Sequence, residues 1–184
     1  MTRIAVILGS TRPGRNGEGV AKWVMQHAAG RPNAQYELVD IAEQGLPFLD
    51  EPVPGQQSKE HSKRWSAKIA GFDGFVFVTA EYNHGIPGAL KNAIDFLYKD
   101  WNDKAAGFVS YGSAAGGSRA VESLRLVMGE LHVADVRAQV LLTLTDDFEN
   151  YRLFKPRPHH EKTLAVLFDE VEAWSKALRT LRPA

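Results

Sequence analysis

The sequence predicts a doubly wound α/β fold, a five-stranded parallel sheet with helices on both faces. Three observations lead there. Short apolar, β-rich runs alternate with stretches of helical period, which is the pattern of strands joined by crossover helices. Several of the runs are almost continuously apolar, as strands covered on both faces must be. Finally, 184 residues with 44% hydrophobic and 24% charged side chains are enough for one domain with a real core. No internal repeat, linker or composition break divides the chain, so residues 1–184 are expected to form a single domain.

Taken in order, the first strand is residues 4–8, followed by a polar loop and a helix whose buried stripe is Val20, Ala21, Val24 and Ala28. The second strand is 36–39. Residues 44–57, with Pro47, Pro52 and Pro54, read as irregular, and 58–70 as a weakly patterned helix carrying Trp65, Ile69 and Ala70. The third strand, 75–79, precedes a helix with Ala89, Leu90, Ala93, Ile94 and Leu97 on one face. The fourth, 107–111, precedes a helix with Ala120, Val121, Leu124, Val127, Met128 and Leu131. The fifth strand lies within 136–144. Residues 145–158 read as irregular, and Leu164, Leu167, Phe168, Val171, Trp174 and Leu178 mark the last helix. Five such strands suggest the flavodoxin-like order 2-1-3-4-5. Its ligand crevice lies beyond the C-terminal strand ends, at the switch between strands one and three.

Composition removes several function classes. Twenty-two Lys and Arg balance twenty-two Asp and Glu, so no long-range field favours nucleic acid or an anionic membrane. With no cysteine there is no thiolate nucleophile, disulfide or cysteine metal site, and redox chemistry would have to come from a cofactor. The run at 4–8 is too short for a signal peptide, and no segment approaches the ~18 to 20 apolar residues of a membrane span. A cytoplasmic location is expected.

Three loops should converge at the crevice. The first, residues 9–18, runs from a strand into a helix and offers Ser10, Thr11, Arg12, Arg15 and Asn16 ahead of Gly17. Hydroxyls and cationic side chains at a helix N-terminus suit the oxygens of a terminal monophosphate, and the spacing is not the GxGxxG of a dinucleotide loop. The second loop contains Glu81, Tyr82, Asn83 and His84. Pro87 is expected in the first turn of the following helix, whose dipole would favour negative charge on a ring placed there. Read alone, Tyr82 and His84 are also compatible with plain surface aromatics. The third loop runs from Ser110, Tyr111 and Gly112 to Gly116 and Gly117, with glycines that let backbone approach a flat ligand; Ser118 is a candidate helix cap.

The stretches Gly9-Ser10-Thr11-Arg12, Glu81-Tyr82-Asn83-His84-Gly85-Ile86-Pro87-Gly88-Ala89-Leu90-Lys91-Asn92-Ala93-Ile94-Asp95 and Gly116-Gly117 together resemble the NADPH-dependent FMN reductase family, which includes quinone, azo-dye and chromate reductases. The similarity extends through about Leu131. It implies FMN as cofactor and NAD(P)H as co-substrate. Ser10 and Arg12, with the turn at Arg15, Asn16 and Gly17, would hold the phosphate. Glu81, Tyr82 and Asn83 would lie beside the isoalloxazine, with Ser110, Tyr111, Gly112, Gly116 and Gly117 on its other side. Tyr82, Asn83 and His84 are candidates for tuning the ring or contacting substrate. No obligatory catalytic side chain is expected, because flavin N5 carries the hydride. The resemblance also implies a homodimer or homotetramer, to which Phe48, Tyr98 and Trp101 could contribute. Ala80, where the family usually has Pro, and Arg15, where many members have Ser, depart from the pattern.

Other signals carry less. His159-His160-Glu161 is not a metalloprotease motif and reads as a solvated helix start. Asp146, Asp147 and Glu149 miss the calcium-loop spacing and read as loop charge, so no metal site is expected. The reading is an NAD(P)H oxidoreductase that passes electrons to a quinone, azo compound or similar acceptor by a ping-pong mechanism. Two rivals remain. One is a flavodoxin-type one-electron carrier. The other is a flavin-free dinucleotide-binding enzyme that uses Gly14, Gly17 and Gly19 as its fingerprint and Asp40 as its ribose acid.

Overall fold

Each apolar run becomes a strand of one parallel sheet, and the strands are longer than the apolar runs alone. In the computed structural model, which describes residues 1–53 and 55–182, they are β1 (Thr2–Leu8), β2 (Ala34–Asp40), β3 (Gly74–Ala80), β4 (Lys104–Gly112) and β5 (Val133–Thr143). Pro54 of the irregular stretch lies outside the described residues. The helices are α1 (Gly17–Ala28), α2 (Glu60–Ala70), α3 (Gly88–Asp95), α4 (Ser118–Glu130) and α5 (His159–Leu178). The sheet order is β2-β1-β3-β4-β5, with β1 pairing in parallel with both β2 and β3. That is where the winding reverses, so the loops after β1 and β3 open into a shared crevice.

Strand alternation divides the core into two layers. Ile4, Val6 and Leu8 face α1 and α5, packing with Val24, Leu167 and Phe168. Ala5 and Ile7 point the other way, with Trp65, Leu90 and Leu124 of α2, α3 and α4. β3 and β4 are buried along their whole length, which explains their largely apolar composition, with only Thr79, Lys104 and Ser110 as buried polar or charged positions.

Several details differ from the sequence reading. Trp101 is 0% exposed and donates its indole N–H to the Ile94 carbonyl at 3.1 Å, so it is a core residue and cannot wall a neighbouring subunit. Tyr98 is half-buried, whereas Phe48 is 91% exposed. Within the irregular 145–158 stretch lies a two-stranded hairpin, β6 (Phe148–Glu149) and β7 (Leu153–Phe154). Its turn residues Asn150 and Tyr151 both have positive φ. Phe148 packs on the Tyr111 ring and Phe154 on Trp23 of α1, with centroid separations of 6.2 and 5.7 Å.

Two further readings are corrected at the root of this hairpin. Asp147 is fully buried, not solvated loop charge. It accepts from the Thr143 N–H at 2.9 Å and from the Arg157 N–H, Nε and Nη2 at 3.0 to 3.1 Å. His160 is buried too, with Nε2 3.0 Å from the Asp147 carboxylate. The helix start is therefore docked, because an ion pair anchors it where the sequence shows only charge.

Lys104, at the start of β4, is also buried, and its ammonium donates to the Ile69 carbonyl at 2.9 Å. Burial, reinforced by Arg182, pushes its pKa down to about 8. The unfolded chain then holds this proton to higher pH than the folded one, so stability should rise as pH increases from 8 toward the ordinary lysine value. Denaturant unfolding of wild type and Lys104→Met should diverge in favour of wild type across that window by up to about 3 kcal/mol. A pH-independent difference would show that Lys104 titrates normally.

Candidate functional site

The loop after β1 is shaped by close packing. Gly9 donates its N–H to Val78 at 2.9 Å, and a Cβ there would lie 2.8 Å from Leu90 of α3. Gly17 opens α1, and a Cβ on it would lie 2.7 Å from the Tyr111 hydroxyl oxygen. Glycine therefore lets the helix N-terminus come down onto Tyr111. Asn16 precedes the helix without capping it through its side chain; its amide donates instead to the Tyr151 carbonyl at 2.8 Å. The first N–H groups of α1 consequently have no side-chain cap, which leaves a site of positive potential.

The two arginines of this loop have different fates. Arg12 is exposed, without a carboxylate partner among the described residues, and its guanidinium carbon lies 5.9 Å from the Tyr82 ring centroid. Arg15 has a side chain only 9% exposed. Its guanidinium forms a two-pronged pair with Asp40, donates to Glu18 at 3.1 Å, and also reaches the Ser10 carbonyl. Burial opposes its charge, but Asp40 and Glu18 outweigh that and hold its pKa above the ordinary value. The sequence reading of Arg15 as a phosphate donor is therefore corrected: its guanidinium braces the loop against β2. Ser10 is buried, and its hydroxyl lies 2.8 Å from that of Tyr82, tying the first loop to the second.

In the second loop, Tyr82 and Gly85 exchange backbone hydrogen bonds of 2.9 and 3.1 Å. This tight turn forces Asn83 and His84 into the left-handed region, with φ of 50° and 68°. Asparagine and histidine tolerate that region better than most residues. Both sit exposed at the turn apex. Pro87 occupies the position before α3, one residue ahead of the expected first turn.

Glu81 is turned away toward α4. It accepts from the Arg119 and Ala120 N–H groups at 3.1 and 3.4 Å and from Arg119 Nε at 2.7 Å. Although burial alone would raise its pKa, Arg119 and these N–H groups keep it below the ordinary range. Glu81 thus caps α4, the role expected of Ser118, which makes no capping bond.

The third loop is built by its own residues. Ser110 is fully buried and donates to the Gly116 carbonyl at 2.8 Å. Gly116 and Gly117 have φ of 58° and 85°, and a Cβ on Gly112 would lie 2.9 Å from the Gly117 nitrogen. Tyr111 is buried, with its hydroxyl shut off from solvent against Gly17. Burial raises its pKa, so it stays neutral.

A cavity of about 300 Å³ joins these parts. Arg12, Arg15, Asn16, Glu81, Tyr82, Tyr111 and Gly112 line it. Tyr151 and Arg152 of the β6–β7 hairpin, which sequence reasoning missed, line it too. Ser10, Gly17, Asn83, His84, Ser110, Gly116 and Gly117, all expected at the site, are not among the residues that line it, and Gly116 lines a separate cavity beside Gln139 and Leu141. A larger cavity, about 870 Å³, lies among Asp73, Lys104 and Arg182. Asp73 and Arg182 pair with each other at 2.5 Å there, so size does not select it. The smaller cavity fits an anion better. It has a helix N-terminus that the Asn16 side chain does not cap and, in Arg12 and Arg152, two guanidiniums without a carboxylate partner among the described residues.

Sheet order and crevice together define a flavodoxin-like α/β protein with its site at the switch point. The chain belongs to the NADPH-dependent FMN reductase family, whose model matches residues 2–147. It is thus an FMN-dependent oxidoreductase that uses NAD(P)H. An NAD(P)H-dependent FMN reductase of a Nectria species is 48% identical over 141 residues, 70% of each chain. An NAD(P)H:quinone oxidoreductase of Solanum tuberosum is 36% identical over 131 residues, covering 68% of this chain and 66% of the relative. Among solved structures, a flavoenzyme NAD(P)H:(acceptor) oxidoreductase from Paracoccus denitrificans superposes with a TM-score of 0.70 over 98% of both chains. At 22% identity it supports the fold alone.

Proposed function

We propose that this chain transfers electrons from NAD(P)H to a quinone or similar acceptor by a ping-pong mechanism in the crevice above β1, β3 and β4. The observation that carries the reading is the meeting of the α1 N-terminus, which has no cap from the Asn16 side chain, and Arg12, which has no carboxylate partner among the described residues, at one cavity. When bound, FMN supplies a flat ring that takes hydride at N5 and returns the electrons to a second substrate.

The chain's own residues bind and orient. Arg12, the α1 N–H groups and the turn at Asn16 and Gly17 hold the phosphate. Ser10 and Tyr82 fix the first loop against the second, and Arg15 stiffens it from behind. Tyr82 and the backbone at Glu81 and Asn83 flank one side of the ring. Tyr111, Gly112, Gly116 and Gly117, held by Ser110, flank the other. His84, exposed on a strained turn, meets the incoming substrate. The dipole of α3 favours negative charge at its N-terminus. Exposed Phe48 supports a homodimer or homotetramer in which a second copy walls the crevice.

Two observations weigh against the rivals. Asp40, the ribose acid of a dinucleotide reading, is engaged by Arg15. The balanced net charge and Arg12 are unlike an acidic electron carrier.

The deciding experiment is the visible spectrum of the purified protein with FMN, recorded before and after anaerobic NADPH. Rapid bleaching, recovery on adding quinone and parallel double-reciprocal plots are expected. Absence of bleaching would favour the carrier, and a colourless protein that cannot take up FMN would favour the flavin-free enzyme. Arg12→Ala should weaken FMN binding by about 10- to 150-fold, the value of one charge-assisted hydrogen bond. A change below about threefold in an FMN titration, ~0.65 kcal/mol, would remove Arg12 from the phosphate site.

A further inference from the structure

We propose that the β6–β7 hairpin is a strap across the phosphate loop and that Arg152 supplies its second phosphate-binding guanidinium. This rests on the FMN reading above. The family match ends at residue 147, so the hairpin, from Phe148 to Phe154, lies just beyond the stretch by which the family is recognised.

The hairpin is held over the loop at several points. Phe148 and Phe154 pack on each other with tilted rings, centroids 5.1 Å apart, and seat the strands on Tyr111 and Trp23. The Asn16 amide, at the α1 N-cap, donates to the Tyr151 carbonyl at 2.8 Å, and Arg152 Nη1 donates to the Gly14 carbonyl at 3.0 Å. Both contacts link the hairpin tip to the loop after β1. The buried Asp147 carboxylate, bound by the Arg157 guanidinium and by His160, fixes the hairpin root.

Charge then selects the ligand. Arg15, Arg31, Arg119, Arg125 and Arg157 each pair with a carboxylate, whereas Arg152 donates only to Gly14 and has no acidic partner among the described residues. A guanidinium has five N–H donors in a planar fork, so most of them stay available. Arg12 and Arg152 line the same cavity beside the α1 N-terminus. Glu81, the acidic side chain on its wall, is already neutralised by Arg119. Two unpaired guanidiniums and a helix N-terminus match a phosphate monoester, which carries close to two negative charges at neutral pH. Arg152 takes the position that the sequence alone assigns to Arg15.

The test compares FMN with riboflavin, which lacks the phosphate, in titrations of the whole chain as wild type, Arg152→Ala and Arg152→Gln. Wild-type binding of FMN tests the underlying reading by itself, and failure there overturns both. Given that binding, Arg152→Ala should weaken FMN by about tenfold to a hundredfold while riboflavin affinity changes less than about twofold. The salt dependence of FMN binding should become shallower, as expected when one ion pair is lost. Arg152→Gln keeps an N–H for Gly14 but no charge, and should be as weak as Arg152→Ala. Equal losses for FMN and riboflavin, wild-type affinity in Arg152→Gln, or an unchanged FMN affinity in Arg152→Ala would each overturn the assignment. Thermal melts of the variants confirm that all are folded.

Discussion

Asp147→Ala is expected to destabilise the folded chain by about 2–3 kcal/mol, the cost of leaving buried donors without their charged acceptor. In a domain of this size that is a fall in Tm of roughly 4–12 °C. The carboxylate is fully buried and answers the backbone N–H groups of Thr143 and Arg157, the Arg157 guanidinium and His160. Alanine leaves the two backbone N–H groups and His160 without this acceptor, while the half-exposed Arg157 keeps Asp146 at 3.2 Å, and it detaches the hairpin root from α5. Burial alone would raise the Asp147 pKa, but the Arg157 hydrogen bonds outweigh it and hold it below the ordinary value. The contribution is therefore present above the unfolded carboxyl pKa and lost as pH falls through the folded one, so the gap between wild type and Asp147→Ala should narrow below about pH 4.

His160 adds acid sensitivity at higher pH. Burial pushes its pKa below the ordinary histidine value against the opposing charge of Asp147. The unfolded chain takes up this proton first, and stability begins to decline as pH drops below about 6.5. Denaturant unfolding between pH 3.5 and 8 checks both windows. An Asp147→Ala variant that melts within about 2 °C of wild type, less than about 1 kcal/mol, would show that the buried pair contributes little.

The sheet order and the three converging loops are legible in the sequence because they rest on local signals. Apolar runs such as Phe75 to Val78 mark strands buried on both faces, and glycine-bearing polar stretches mark the turns between strand and helix. What escapes is pairing over long sequence separations. Nothing near Arg15 indicates that Asp40 claims its guanidinium, or that Glu81 reaches across the crevice to cap α4. Arg152 is 138 residues from Gly14, and its stretch carries too few apolar residues to display a strand period. A charged residue's function depends on which opposite charges already reach it, and that information is tertiary. Trp101 shows the same limit for apolar residues, since composition does not separate a core indole from an interface one.

The second large effect concerns two glycines of α4 and its cap, for which the same substitution should have opposite signs. Gly117 precedes the helix with φ of 85°. An alanine Cβ there would lie 2.7 Å from the Ser110 Cβ and 3.0 Å from the Tyr111 nitrogen. The left-handed backbone alone costs an L-residue about 1–2 kcal/mol, and overpacking against β4 adds a comparable amount. Gly117→Ala should therefore lose about 3 kcal/mol and roughly 6–12 °C in Tm. It should also weaken FMN binding, because the displaced turn carries Gly112 and the Ser110 tie to Gly116 with it.

Gly129, near the other end of α4, has open space where its Cβ would be. Gly129→Ala removes only backbone entropy from the unfolded chain and should gain about 0.5–1 kcal/mol, with FMN affinity unchanged. Calorimetric melts and FMN titrations of the two variants side by side separate steric demand at the crevice from helix propensity. If Gly117→Ala melts at or above the wild-type temperature, the third loop is not held in the left-handed conformation that brings it to the crevice.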